Sequence, residues 1–266
     1  MGNLIELGPL QLAIATLLVV AAGIVSIALR LGVERRLGIA ALRTVIQLGL
    51  LGLILERVFA LRVPALVVGL VVLMTLFAAR EAVARSSNRY RAIYLDSWLA
   101  LAASCLVVGG VVTQLVVGVD PWYEPQYVIP LLGMILGNSL NGISLCLDRF
   151  LDHLATRSAE VELRLAFGAT RREALGGPLR AAVRTGMVPI INAMAAAGLV
   201  SMPGMMTGQI LAGSPPLQAV AYQIVVMFMI AAASAFGAMM VAVTAARRLS
   251  RPDGSLRLDR LVAKNS

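Results

Sequence analysis

Gln47, Asn138, Asn141, Asn192, Gln209 and Gln223 are uncharged polar side chains set inside long apolar runs, and their amide oxygens are the kind of donor that can pass a partly dehydrated cation. The same groups can instead hydrogen-bond from helix to helix, so they mark either a polar path or a packed interface. Met202, Met205 and Met206 add thioether sulfur close to Gln209. Thioether suits Cu(I) better than iron, and methionine in an apolar segment is most often packing. No carboxylate stands deep in an apolar run, which argues against a tight site for a bare divalent ion and leaves weak, transient binding. No metal site of fixed geometry is expected: His153 is the only histidine, and Cys105 and Cys146 fall in separate apolar runs, as buried thiols do. The chain has no G-x-x-x-x-G-K-[ST] loop to cradle nucleotide phosphates, and no paired carboxylates or Ser/His arrangement to make or break bonds. An intramembrane enzyme or receptor that works alone is therefore the weakest of the functional classes.

The elements that must position these groups are membrane spans. Hydrophobic residues make up 59% of the 266 and charged residues 14%, with mean hydropathy +0.86. A single all-α, polytopic membrane domain over residues 1–266 is expected, with about seven transmembrane helices: Leu10 to Leu29, Ile39 to Leu55, Pro64 to Ala79, Trp98 to Val117, Tyr127 to Leu147, Ala181 to Leu199 and Leu217 to Ala245. All of the 23 basic residues except Arg57 and Arg62 fall at alternate turnarounds or in the tail at about 246–266. The positive-inside rule then puts the N-terminus outside and the C-terminus in the cytoplasm of a plasma or inner membrane. On a soluble chain the net charge of +9 would suggest nucleic acid. Here the arginines stand in blocks beside membrane exits, where anionic lipid is the counter-charge and nucleic acid is excluded.

Three segments depart from plain spans. Asp120 to Tyr127 holds two prolines and three aromatics, the composition of an interfacial belt, with a substrate gate as the alternative. An insert at about 148–180 reads as a helix interrupted at Gly168, a second short helix, and a further break at Gly176-Gly177-Pro178: a knob that protrudes toward a partner. Ser201 to Gly213 cannot be a continuous spanning helix, because Pro203 lacks an N–H and Gly204, Gly208 and Gly213 loosen the chain. Irregular backbone at membrane depth must be packed in protein or line a watery cavity, so Ser201, Pro203, Gly204, Met205, Met206 and Gln209 form either a pathway or gate, or a tight helix-packing turn. Arg43, within two turns of the start of its span, either snorkels to the headgroups or contacts an anionic cargo.

Glu162-Leu163-Arg164-Leu165-Ala166-Phe167-Gly168-Ala169-Thr170 resembles the coupling loop of ABC-transporter permeases, with Leu163-Arg164 where two alanines are usual. Gly198 to Gly213, together with Ile129 to Asn138, is similar to the FetB family of iron-export permease subunits; the likeness runs from about Gln126 to Met240, and the second span adds Arg43, Ile46, Gln47 and Gly49. The resemblance implies a subunit that performs no bond chemistry, pairs with itself, and is driven by two copies of a cytosolic ABC ATPase that holds ATP and Mg. It also implies that Glu162, Arg164, Gly168, Ala169, Thr170 and Arg171 contact that ATPase. Export of iron or a related metal is the leading function. Gln47, Asn138 and Asn141 join the pathway or gate residues; movement of an anionic organic molecule such as a nucleotide sugar is the alternative, with Arg43 as its contact.

Overall fold

A computed structural model describes residues 8–251 and 255–263 and is helical almost throughout. The helices are α1 (Pro9–Ala28), α2 (Glu34–Leu61), α3 (Pro64–Ala84), α4 (Ile93–Val111, prolonged by a π-helical turn Val112–Val116), α5 (Pro125–Thr156), α6 (Ser158–Ala166), α7 (Arg171–Ala196), α8 (Gly204–Leu211) and α9 (Pro216–Arg248). Proline opens α1, α3, α5 and α9, where its fixed φ suits the first turn and its missing N–H has no intrahelical partner to lose. α5 is the hub: it packs on α9, α7, α3 and α4, while α1 and α2 form a hairpin that meets the rest mainly through α2 and α5. The core is mostly small and branched side chains around Phe150, Leu147 and Ile143 of α5 and Ala238 and Val241 of α9. Small residues let backbones approach, which is how helices associate where lipid removes the hydrophobic drive.

Among the described residues, six helices are long and apolar enough to cross a membrane: α1, α2, α3, α4, α5 and α9. The seventh expected span, Ala181 to Leu199, falls as far as Ala196 in α7, a helix of 26 residues or about 39 Å, whose N-terminal part up to Arg184 carries Arg171, Arg172, Glu173, Arg180 and Arg184. It is long enough to span but too charged at its start to qualify on composition. The expected break at Gly176-Gly177-Pro178 does not occur, and the second short helix of the insert is instead the opening of α7. Pro178 removes one N–H to the preceding turn, but the residue before it is glycine, which has no Cβ to collide with the proline ring in the helical region. The break falls earlier, at Arg157, which separates α5 from α6.

The tail is not a free basic extension. Past α9 it folds back, with Arg257 donating its backbone N–H to Leu249 O (2.8 Å) and Leu256 buried in the core. It then forms β2 (Val262–Ala263), antiparallel to β1 (Asn88–Arg89) in the α3–α4 turn. Lys264, expected in this tail, lies outside the described residues. Beneath the turn, the Asp96 carboxylate is buried, accepting from the Tyr90 hydroxyl at 2.9 Å and from Arg248 at 3.4 Å. Burial, and then the neighbouring Asp96 charge, hold the Tyr90 phenol well above its ordinary range, so it remains a donor. Tyr90→Phe removes a hydrogen bond to a buried carboxylate and is expected to lower stability by about 2 kcal/mol, read as a fall in the thermal unfolding midpoint of the purified protein.

Candidate functional site

The segment after α7 turns sharply and comes back. α7 stops at Ala196, Gly198 takes φ +83°, and its N–H is donated to Ser201 O at 2.9 Å. Pro203 caps the start of α8, Gly213 takes φ +92°, and Pro215 caps α9. α8 has eight residues and is about 12 Å long, too short to span, and it packs along α9. The interruption expected at Ser201 to Gly213 is thus present, although its central part, Gly204 to Leu211, is helical.

Between α8 and the N-terminal ends of α5 and α9 lies a cavity of about 470 Å³. Three helices line it with residues one turn apart: Gln126, Pro130 and Met134 from α5, Met205 and Gln209 from α8, and Gln218 and Tyr222 from α9, with Tyr127, Leu131, Ser214 and Ala219 completing the wall. Spacing of four puts each set on one helical face. Amide, hydroxyl and phenol oxygens stand beside two thioether sulfurs, and no carboxylate lines the space. Gln209 Oε1 is shut off from solvent and has no donor, so its acceptor capacity is unused in this arrangement. Such a lining can replace part of the water shell of a passing cation without trapping it. Among the described residues no three of His, Cys, Asp and Glu come together.

Of the expected pathway residues, Met205 and Gln209 line this cavity. Ser201, Pro203, Gly204 and Met206 belong to the same segment but lie off its wall, with Met206 buried as packing. Asn138 is exposed on α5 one turn beyond Met134, donating its side-chain N–H to Met134 O at 2.9 Å. Asn141 Oδ1 accepts from Arg85, and Gln47 is exposed on α2. Gln126, Met134, Gln218 and Tyr222 were not singled out by sequence; their signal is the four-residue spacing on each helix, readable only once the helix faces are known.

At the opposite end of α5, α6 and the start of α7 form an elbow. Val161 is buried and Leu165 packs on the core, while Glu162, Arg164, Gly168 and Thr170 are exposed and Ala169 and Arg171 partly covered. Gly168, at φ +87°, closes α6 with the paired hydrogen bonds Gly168 N–H to Leu165 O (2.9 Å) and Ala169 N–H to Arg164 O (3.1 Å), a left-handed cap that favours glycine. Thr170 and Glu173 then form a reciprocal capping box: the Thr170 backbone N–H meets Glu173 Oε2 at 2.7 Å, and the Glu173 N–H meets Thr170 Oγ1 at 3.4 Å. The Thr170 side chain and backbone hold the Glu173 carboxyl below its ordinary pKa, so the box stays ionised at neutral pH. Glu160 and Arg164 pair along α6 at 2.8 Å. Phe167 projects from this turn with 84% of its surface exposed, beside Leu163, also exposed. Phe167 is absent from the sequence-derived contact set, because helical periodicity does not tell a buried phenyl from an outward one.

Arg43 reaches from α2 to the Glu81 carboxylate of α3, so its charge is met within the protein. Of the two readings of Arg43, headgroup snorkelling and contact with an anionic cargo, the second would have to compete with this partly exposed carboxylate.

Residues 9–250 match an uncharacterised protein family, UPF0014. The chain is 38% identical over 206 residues to the UPF0014 membrane protein slr1647 of Synechocystis, covering 77% of this chain and 80% of that one. It is 33% identical over 234 residues to the UPF0014 membrane protein YjkA of Bacillus subtilis, covering 88% and 92%. To the probable iron export permease protein FetB of Escherichia coli it is 31% identical over 220 residues, covering 83% of each. No solved structure matches the chain.

Proposed function

The chain belongs to the UPF0014 family, and from that premise we propose that it is the multi-pass permease subunit of an ABC exporter that moves iron or a related metal cation. One observation carries this reading: the elbow is joined to two cavity-lining helices, directly to α5 and, by way of α7 and the turn at 197–203, to α8. α5, a 32-residue rod of about 48 Å, carries α6 at one end and Gln126, Pro130 and Met134 at the other. α7 begins at the Thr170 cap and hands over, through the Gly198 turn, to α8 with Met205 and Gln209. A push on the elbow therefore moves two of the three cavity walls.

The force comes from elsewhere, because the sequence lacks a phosphate-binding loop. Two copies of a cytosolic ABC ATPase bind ATP and Mg, close on each other, and shift the elbow by differential contact with its two positions. The arginine-rich turns support an elbow in the cytoplasm and a cavity toward the outside of a plasma or inner membrane. Asn138, exposed on a spanning helix, needs a cover other than lipid, and a second copy of the chain supplies it. The cation passes the neutral lining by trading water for amide oxygen, then leaves because no carboxylate holds it. The anionic-cargo alternative has to compete with Glu81 for Arg43.

The test is cation-stimulated ATP hydrolysis and efflux in proteoliposomes that hold this chain with its ATPase, across Fe(II), Fe(III), Mn(II), Cu(I) and nucleotide sugars. Gln209→Leu keeps the bulk but removes the oxygen, and is expected to cut cation efflux about tenfold while ATPase assembly persists. Cation flux that proceeds without any ATPase, or stimulation by nucleotide sugars alone, contradicts the proposal.

A further inference from the structure

A second, larger cavity, about 920 Å³, opens at the arginine-rich end of the bundle, between the α3–α4 turn, the start of α4, the end of α9 and the returning tail. Arg89, Arg91, Arg248 and Arg260 line it, with Tyr90 and Asp259. Four guanidinium groups face two carboxylates, Asp259 on the wall and Asp96 bonded to Arg248, which leaves a net charge of +2. Arg89, Arg91 and Arg260 have no carboxylate partner among the described residues. The Nε–H of Arg89 is sealed from water with no acceptor. An unpaired donor on a cation is unfavourable, and because this one is closed to water an acceptor in the cavity reaches it only when the Arg89 side chain turns toward the space. α4 starts here, after Ala92, so the positive end of its dipole lies near the same space, with its first N–H, that of Ile93, donated to Tyr90 O at 3.1 Å.

The placement is built by long-range contacts rather than by a run of basic residues. Arg260 comes from the tail, held in position by the buried Leu256 and by the β1–β2 pairing, which also fixes Arg89. We propose that this cavity binds a phosphate-bearing anion, with Arg89, Arg91 and Arg260 as its ligating groups. Planar guanidinium forks match phosphate oxygens two at a time, and a phosphate, singly charged in a phosphodiester headgroup or more highly charged when free, offsets the positive charge of the wall. An anion bridging Arg260 to Arg89 and Arg91 ties the tail to the α3–α4 turn, so occupancy stiffens this end of the bundle.

A phospholipid headgroup and a soluble phosphate share this chemistry, and two experimental arms on the full-length chain separate them. In one, the protein in phosphatidylcholine nanodiscs is titrated with inorganic pyrophosphate at low salt. In the other, native mass spectrometry measures retention of phosphatidylglycerol against phosphatidylcholine. Arg260→Gln, on an exposed residue of the tail, is expected to weaken binding about tenfold in whichever arm shows it, and Arg89→Gln with Arg91→Gln to weaken it further. The control pair Arg35→Gln with Arg36→Gln, away from the cavity, is expected to bind as wild type does. Saturable binding in either arm that drops in Arg260→Gln supports the site and names the source. Absence of binding in both arms, superimposable wild-type and Arg260→Gln curves, or an equal loss in the control pair would overturn it.

Discussion

Gly186→Leu is expected to leave no folded protein in the membrane fraction, and Gly186→Ala to cost about 1–3 kcal/mol. α5 and α7 cross with glycine on glycine. A Cβ on Gly186 would lie 2.5 Å from the Gly142 carbonyl oxygen and 3.0 Å from Cys146 Cβ, and one on Gly142 would lie 2.9 Å from the Gly186 carbonyl oxygen. The obstacles are mostly backbone, so no side-chain rotation relieves them; the helices must part. Parting them loosens the hub of the fold and also splays the two rods that join elbow to cavity, so whatever Gly186→Ala protein survives is expected to couple poorly. Gly69→Ala, whose new methyl meets nothing within 4 Å, serves as the control and is expected to be neutral or slightly stabilising. Fluorescence-detected gel filtration and the thermal midpoint read both effects. A Gly186→Leu protein that elutes as a sharp peak with the wild-type midpoint would mean that α5 and α7 do not touch there.

How far the sequence reached can be judged at particular residues. Pro64, Pro125 and Pro216 mark helix starts for a local reason, and the apolar runs behind them need only length and composition. Pro203 and Gly213 likewise announce the interruption before α9, since proline and positive-φ glycine act within one turn. Pro178 misled because a proline after glycine costs a helix less than proline elsewhere, and because its burial, a tertiary feature, is not visible in the local string. The cavity was half legible. Met205 and Gln209 stand in an unusual string, whereas Gln126 and Gln218 sit near helix starts where polar residues are ordinary. The basic cavity was not legible at all: Arg89 and Arg260 are brought together by a two-residue strand pairing and one buried leucine, contacts that leave no periodic trace.

Phe167→Asp is expected to abolish co-purification of the ATPase while leaving the thermal midpoint of the isolated subunit unchanged. The elbow cannot tuck this phenyl away: Phe167 N–H is held by Leu163 O at 3.1 Å, and the next two N–H groups are committed to the left-handed cap at Gly168. Val161, 1% exposed, and Leu165 anchor the other face of α6. The ring therefore stays in solvent at a rigid tip, flanked by Leu163 and by the charges of Glu162 and Arg164. That is the make-up of an anchor for a pocket on a partner: an aromatic residue, ordered in advance, ringed by polar groups. A side chain of this kind contributes about 2 kcal/mol or more at an interface, so even Phe167→Ala is expected to weaken the complex about thirtyfold. Since the ring makes few contacts within the chain, its loss leaves folding alone, which distinguishes it from Val161→Asp, expected to destroy stability and assembly together. Stoichiometric co-purification with Phe167→Asp, at full cation-stimulated hydrolysis, would show that the ATPase grips another surface and that α5 and α7 are not the levers it moves.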